Sequence, residues 1–115
     1  MKIHSRFVLL VACLGILAGC SEGKVQPEQK PSFARGGRVF DLHCAQCHLN
    51  DDSEAPQLDE ADDWDVRTYE WVSVLKDHAK TGFLRMPAKG GQSALSNQNI
   101  DDALYYMDIK VKALQ

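Results

Sequence analysis

Little in this sequence repeats. It has no internal repeat, no heptad run and no low-complexity tract, so solenoids and coiled coils are excluded. At 115 residues it has room for one domain at most. Strand-like alternation is missing, which argues against a sheet-based fold. There is one long apolar run, Phe7 to Ala18, too short to span a bilayer comfortably. Cysteine is scarce, with four in all, and only Cys44 and Cys47 lie beyond the first 20 positions. An excess of basic residues is also lacking: the formal charge is −3, and no nucleic-acid partner is expected.

The apolar run has a basic start at Lys2 and Arg6 and ends in Leu17-Ala18-Gly19-Cys20. Those are the parts of a secretory signal with small residues at a cleavage site. The end resembles a bacterial lipobox, in which the cut precedes a cysteine carrying a diacylglyceryl group. Residues 1–19 are then a lipoprotein signal peptide and Cys20 the lipidated N-terminus. Leu10-Val11-Ala12-Cys13 is a second, looser lipobox, but leaves an apolar region shorter than the usual minimum of about 7 residues. An uncleaved anchor or an ordinary signal cut nearby would still export the domain. Residues 20–31 are polar, with Pro27 and Pro31, and read as a flexible tether reaching at most about 40 Å.

What remains carries one chemical motif. Cys44-Ala45-Gln46-Cys47-His48 is a complete C-x-x-C-H, the attachment signature of c-type haem. Two thiols three positions apart share a face of one helical turn, so both can add to vinyl groups on one porphyrin edge. The next residue, His48, can then aim an imidazole nitrogen at the iron. A redox-active C-x-x-C would need a βαβ context, and a zinc site usually needs a second cysteine pair. Neither is present. Three downstream side chains could supply the second axial ligand: His78, Met86 and Met107. Met86 is followed by Pro87 and then Gly90-Gly91, which disfavour a helix and leave its thioether on a loop that can aim it. Met107 falls within a strongly periodic helix, as a core residue. His78 shares a helical face with Trp71 and Leu75. Histidine with methionine is the ligation of electron-carrying cytochromes c, and Met86 is the expected partner of His48.

The domain, residues 32–115, is expected to be all-α. A first helix is predicted from an N-cap at Ser32 to about Ala45, with Phe33, Gly36, Val39, Phe40 and His43 at helical spacing. Leu49 to Asp65 reads as a loop with eight acids and no lysine or arginine. A helix from about Val66 to Lys80 is expected to turn Trp71, Val72, Leu75 and Ala79 inward. The last helix starts at Ser96, carries Asp101 and Asp102 in its early turns, and places Ile100, Ala103, Leu104, Met107, Val111 and Leu114 on one face. About three main helices therefore wrap one haem, which supplies the apolar body that so small a core needs.

With these residues in place, the chain resembles a class I monohaem cytochrome c, and within that class the bacterial c-five group. Gly36-x-x-x-Phe40, Cys44 to His48, Ala55-Pro56-x-Leu58, Trp64-x-x-Arg67, His78-Ala79-x-x-Gly82 and Met86-Pro87-x-Lys89-Gly90-Gly91 carry the likeness, with Leu95-Ser96 and Tyr106-Met107 after them. The resemblance implies that Pro56 offers its carbonyl to His48 Nδ1 and that Leu58 packs on the ring. It makes Trp64 and Arg67 candidates to hydrogen-bond a haem propionate. Gly36, Phe40 and Tyr106 would form a crossing of the first and last helices. Leu49 stands where the family usually has glycine.

The expected function is single-electron transfer between redox protein donors and acceptors by a monomer. Two axial ligands leave no open position for a substrate, so no catalytic residue is assigned. Without Lys2 and Arg6, the 13 lysines and arginines fall to 11 against 16 acids, so a partner with a basic docking face is expected; a merely solvated acidic loop is the plainer reading. The alternatives are a gas-binding sensor or a small haem enzyme or subunit in which Met86 is displaced. By analogy with lipoprotein sorting, Ser21 after Cys20 favours the periplasmic side of an outer membrane.

Overall fold

Helix starts in this chain are written in local cap chemistry, and the structure follows them. A computed structural model describes residues 27, 29–68 and 72–115. The leader with Cys13 and Cys20, most of the tether, and Trp71 lie outside the described residues. Helix α1 (Phe33–His43) is capped by Ser32, whose side chain accepts from the Arg35 amide. Helix α2 (Ala45–His48) is a single turn that follows at once. Helices α3 (Ala61–Thr68) and α4 (Val72–Thr81) come next, then a tight turn at Ala88–Gly91, then α5 (Asn97–Lys112). Ser96 and Asn99 form a reciprocal capping box at the start of α5. The described residues contain no strand, only an isolated bridge between Phe83 and Met86, and the fold is all-α. No helix among them is long and apolar enough to cross a membrane.

Three boundaries differ from the sequence reading. The first helix stops at His43, because Cys44 takes over as its C-cap while its amide still reaches the Phe40 carbonyl. The acidic loop is shorter than expected, since α3 begins at Ala61 with Asp62 and Asp63 in its first turn. Acids there favour the positive end of the helix dipole, so part of the apparent loop composition is a helix start. All described residues of the helix expected from Val66 to Lys80 are helical, in α3 and α4, and the helical stretch starts earlier, at Ala61, and ends at Thr81. Within α4, Ala79 is buried and Leu75 half-buried, but Val72 is exposed rather than inward. Leu114, expected on the apolar face of α5, lies beyond the helix end and is half-exposed.

The core forms where α1 crosses α5. Phe40, Leu58, Trp64, Met107 and Val111 pack together, with Cys44, Ala45, Leu104 and Tyr106 against them. The Tyr106 ring is held between Phe33 and Phe40, at centroid distances of 4.9 and 5.4 Å. Burying Phe40, Met107 and Val111 stabilises the fold by about 1.5–3 kcal/mol each. The crossing is close because Gly36 has no side chain: a Cβ there would lie 2.0 Å from the Asp102 carbonyl oxygen and 2.8 Å from Tyr106 Cβ.

Two buried carboxylates fasten α5. Asp102 takes hydrogen bonds from Arg35 Nε (2.7 Å) and its terminal nitrogen (3.0 Å), from the Ser32 amide (2.7 Å) and from Gln98 (3.2 Å). Burial pushes this carboxyl up, but those donors outweigh it and hold Asp102 below the usual range. Asp101 faces α4: Lys80 Nζ lies 3.0 Å from Oδ1 and 3.2 Å from Oδ2, with hydrogen-bond geometry met only at Oδ2, and Lys76 stands 3.6 Å away. The sequence placed both acids in the early turns of the last helix, where acids can favour the helix dipole. They sit beyond the first turn, where that effect has faded, and serve as anchors between helices instead.

Candidate haem site

The C-x-x-C-H segment spans the break between α1 and α2. Cys44 is half-buried and Cys47 exposed, both with free thiols. The amides of Cys47 and His48 both bond to the Cys44 carbonyl, at 3.1 and 3.0 Å, which winds the two cysteines onto one tight turn. Before any thioether forms, burial, then the neighbouring Cys47, push the Cys44 thiol up to about 11.

His48 is buried, and Nδ1–H donates to the Pro56 carbonyl at 2.8 Å. That bond puts the proton on Nδ1 and leaves the Nε2 lone pair as the metal-binding one. Three consecutive residues hold the histidine. Pro56 bonds its ring. Leu58 N–H donates to its carbonyl at 2.7 Å. Between them, the Gln57 side chain donates to the Cys47 carbonyl (3.1 Å) and accepts from the Asn50 amide (2.6 Å). No sequence pattern singles out Gln57. It also explains how the chain turns after His48 without the family's glycine: Leu49 takes φ −138° and ψ 47°, and the next amide is secured by Gln57.

Leu58 is buried in the core cluster beside Trp64 and Met107. The Trp64 ring lies 6.2 Å from the His48 ring. Its indole N–H donates to the Gln57 carbonyl at 2.7 Å. Arg67 is exposed on α3, with a guanidinium nitrogen on the Asp63 carbonyl of its own helix.

Met86 closes a four-residue turn. Phe83 and Met86 exchange both main-chain hydrogen bonds at 2.9 Å, and Leu84 takes a positive φ of 51°. The turn starts directly from α4 because Gly82 accepts φ +91°, where a Cβ would also lie 3.1 Å from the Met86 carbonyl. Beyond Pro87, the loop packs near α1: a Cβ on Gly90 would sit 3.4 Å from the His43 carbonyl, next to Cys44. Arg85 forms an ion pair with Glu54 of the acidic loop. Met86 is half-buried on this turn, whereas Met107 is buried among core side chains. His78 stacks on Phe83 with ring centroids 3.8 Å apart.

These residues fit haem c. Two thiols on one turn can form both thioethers, His48 presents Nε2 with its other nitrogen engaged, and Leu58, Trp64 and Met107 supply an apolar surround. No group of three or more His, Cys, Asp or Glu side chains arranged to hold a metal occurs among the described residues.

Comparison with known proteins agrees. Residues 31–107 match the family described as cytochrome C oxidase, cbb3-type, subunit III. Cytochrome c-555 of Prosthecochloris aestuarii is 30% identical over 83 residues, covering 65% of this chain and 84% of that protein. Cytochrome c-555 of Chlorobaculum tepidum is 30% identical over 78 residues, covering 64% and 72%. A thiosulfate dehydrogenase of Thiomonas intermedia is 29% identical over 94 residues, covering 72% of this chain but 28% of that enzyme. The chain belongs to the cytochrome c family, as a class I monohaem cytochrome with covalently bound haem c.

Proposed function

We propose that this cytochrome is a single-electron carrier, exported and tethered to a membrane through a lipid on Cys20, with His48 and Met86 as its axial ligands. Haem supplies an iron that can change oxidation state by one electron. The chain's residues do the rest. Cys44 and Cys47 fix one porphyrin edge. The Pro56 carbonyl, 2.8 Å from His48 Nδ1, orients the imidazole and raises its basicity, and this contact is the observation that carries the reading. Met86, on a turn closed by two hydrogen bonds, offers a soft, uncharged sulfur. Leu58 and Trp64 keep water from the ring. With His48 and Met86 both bound, the iron would have no position left for a substrate, which favours electron transfer over turnover.

Export is supported by the signal-like leader and by the family, whose members are typically periplasmic. The exposed acids Asp51, Asp52, Asp59, Glu60, Asp62 and Asp65 support a donor or acceptor with a basic docking face.

The thiosulfate dehydrogenase relative supports a second reading, in which a domain like this one serves a haem enzyme. Voltammetry of the purified holoprotein separates the two. A carrier gives one reversible one-electron wave that added thiosulfate leaves unchanged. A catalytic current with thiosulfate would favour the enzyme reading.

A further inference from the structure

Pro56 presents a difficulty of placement. Its carbonyl must meet His48 Nδ1, yet proline has no N–H by which its own position can be secured. Its neighbours have to hold it. Ser53 Oγ accepts from the Ala55 amide at 3.1 Å, and Asp63 Oδ2 accepts from the Gln57 amide at 2.8 Å. Gln57 Nε2 donates to the Ala55 carbonyl at 2.7 Å and to the Cys47 carbonyl at 3.1 Å, while Oε1 accepts from the Asn50 amide at 2.6 Å. One side chain thus ties the residue before Pro56 to Cys47, just before His48, and to Asn50, two residues after it. Both amide protons are used, and the partners fix which end is oxygen. Gln57 is only 7% exposed. A buried amide is costly unless fully bonded, and here it is: an apolar residue would strip the Ala55 and Cys47 carbonyls and the Asn50 amide of these partners.

We propose that Gln57 is a positioning residue for the axial histidine: it sets how closely the Pro56 carbonyl meets His48 Nδ1–H, and through that bond the potential of the haem. This rests on His48 ligating the iron. A strong Nδ1–H···O bond makes the imidazole a better donor and favours the oxidised iron. Loosening it weakens that donation and favours the reduced iron.

The test is Gln57→Met, which keeps the length and apolar bulk but none of the hydrogen bonds. Two quantities are read on the holoprotein: the midpoint potential, and the exchange lifetime of the His48 Nδ1 proton by NMR in the reduced state. The potential should rise, and the proton should exchange about tenfold faster as the clip opens more readily. If that variant fails to mature, Gln57→Asn, one carbon too short to span the same partners, carries the same expectations. A variant that melts earlier but keeps the wild-type potential and proton lifetime would reduce Gln57 to a structural role and overturn the proposal. The wild-type spectrum tests the premise separately: His48 ring protons without the large shifts of an iron-bound imidazole would overturn the ligation itself.

Discussion

Gly36 faces the Asp102 carbonyl so closely that a Cβ on it would lie 2.0 Å from the oxygen. Backbone, not a pliable side chain, meets the added atom, so α1 and α5 would have to separate.

Gly36→Ala should therefore destabilise the holoprotein by about 3 kcal/mol or more, despite the better helix propensity of alanine. Gly37→Ala is the control, because its Cβ would meet only the Tyr106 ring at 3.3 Å and the change should be near neutral. Denaturant unfolding of both variants checks this. Equal effects would mean that the crossing is not set by Gly36.

Asp102 links stability to pH. Its folded pKa is depressed by Arg35, the Ser32 amide and Gln98, which outweigh burial. A depressed carboxylate stabilises fully above its unfolded value of about 3.9, and that contribution is lost as pH falls through the folded value. Asp102→Asn should be less stable at neutral pH, with a flatter loss of stability in acid. Thermal midpoints across the acid range test it, and curves parallel to wild type would contradict it.

These two residues show what the sequence could and could not disclose. Ser32 and Ser96 announced helix starts because capping is chemistry within three residues. The α5 face was legible because Ile100, Ala103, Met107 and Val111 follow one period, and all four are buried. The C-x-x-C-H turn was legible because its chemistry is local. Asp102 read only as an acid in the early turns of α5, since its partner Arg35 lies in another helix. Gln57 looked like an ordinary loop residue for the same reason. The start of α3 was hidden by acids that read equally as loop or as helix N-terminus.

The proposed lipid anchor would rest on Cys20. Cys20→Ala should release the cytochrome as a soluble form or block its processing, read by fractionation and by the mass of the mature N-terminus. A correctly processed variant that stays membrane-bound would count against the anchor.

Electrostatic steering predicts opposite salt effects on two small oxidants. Electron transfer to a cationic ruthenium ammine should slow as ionic strength rises, because the exposed acids attract it less once screened. The rate with anionic hexacyanoferrate(III) should rise. Salt-independent rates with both would leave the acidic loop as a solvated surface.

The central claim is a closed iron held by His48 and Met86, and optical absorption of the holoprotein tests it most directly. Spectra are taken oxidised, reduced, and reduced under carbon monoxide, for wild type and Met86→Ala. The expected result is a weak far-red band in the oxidised wild type, absent from the variant, and no response of the wild type to carbon monoxide. A wild type that lacks the band and shifts clearly with carbon monoxide would contradict it and point to an open iron.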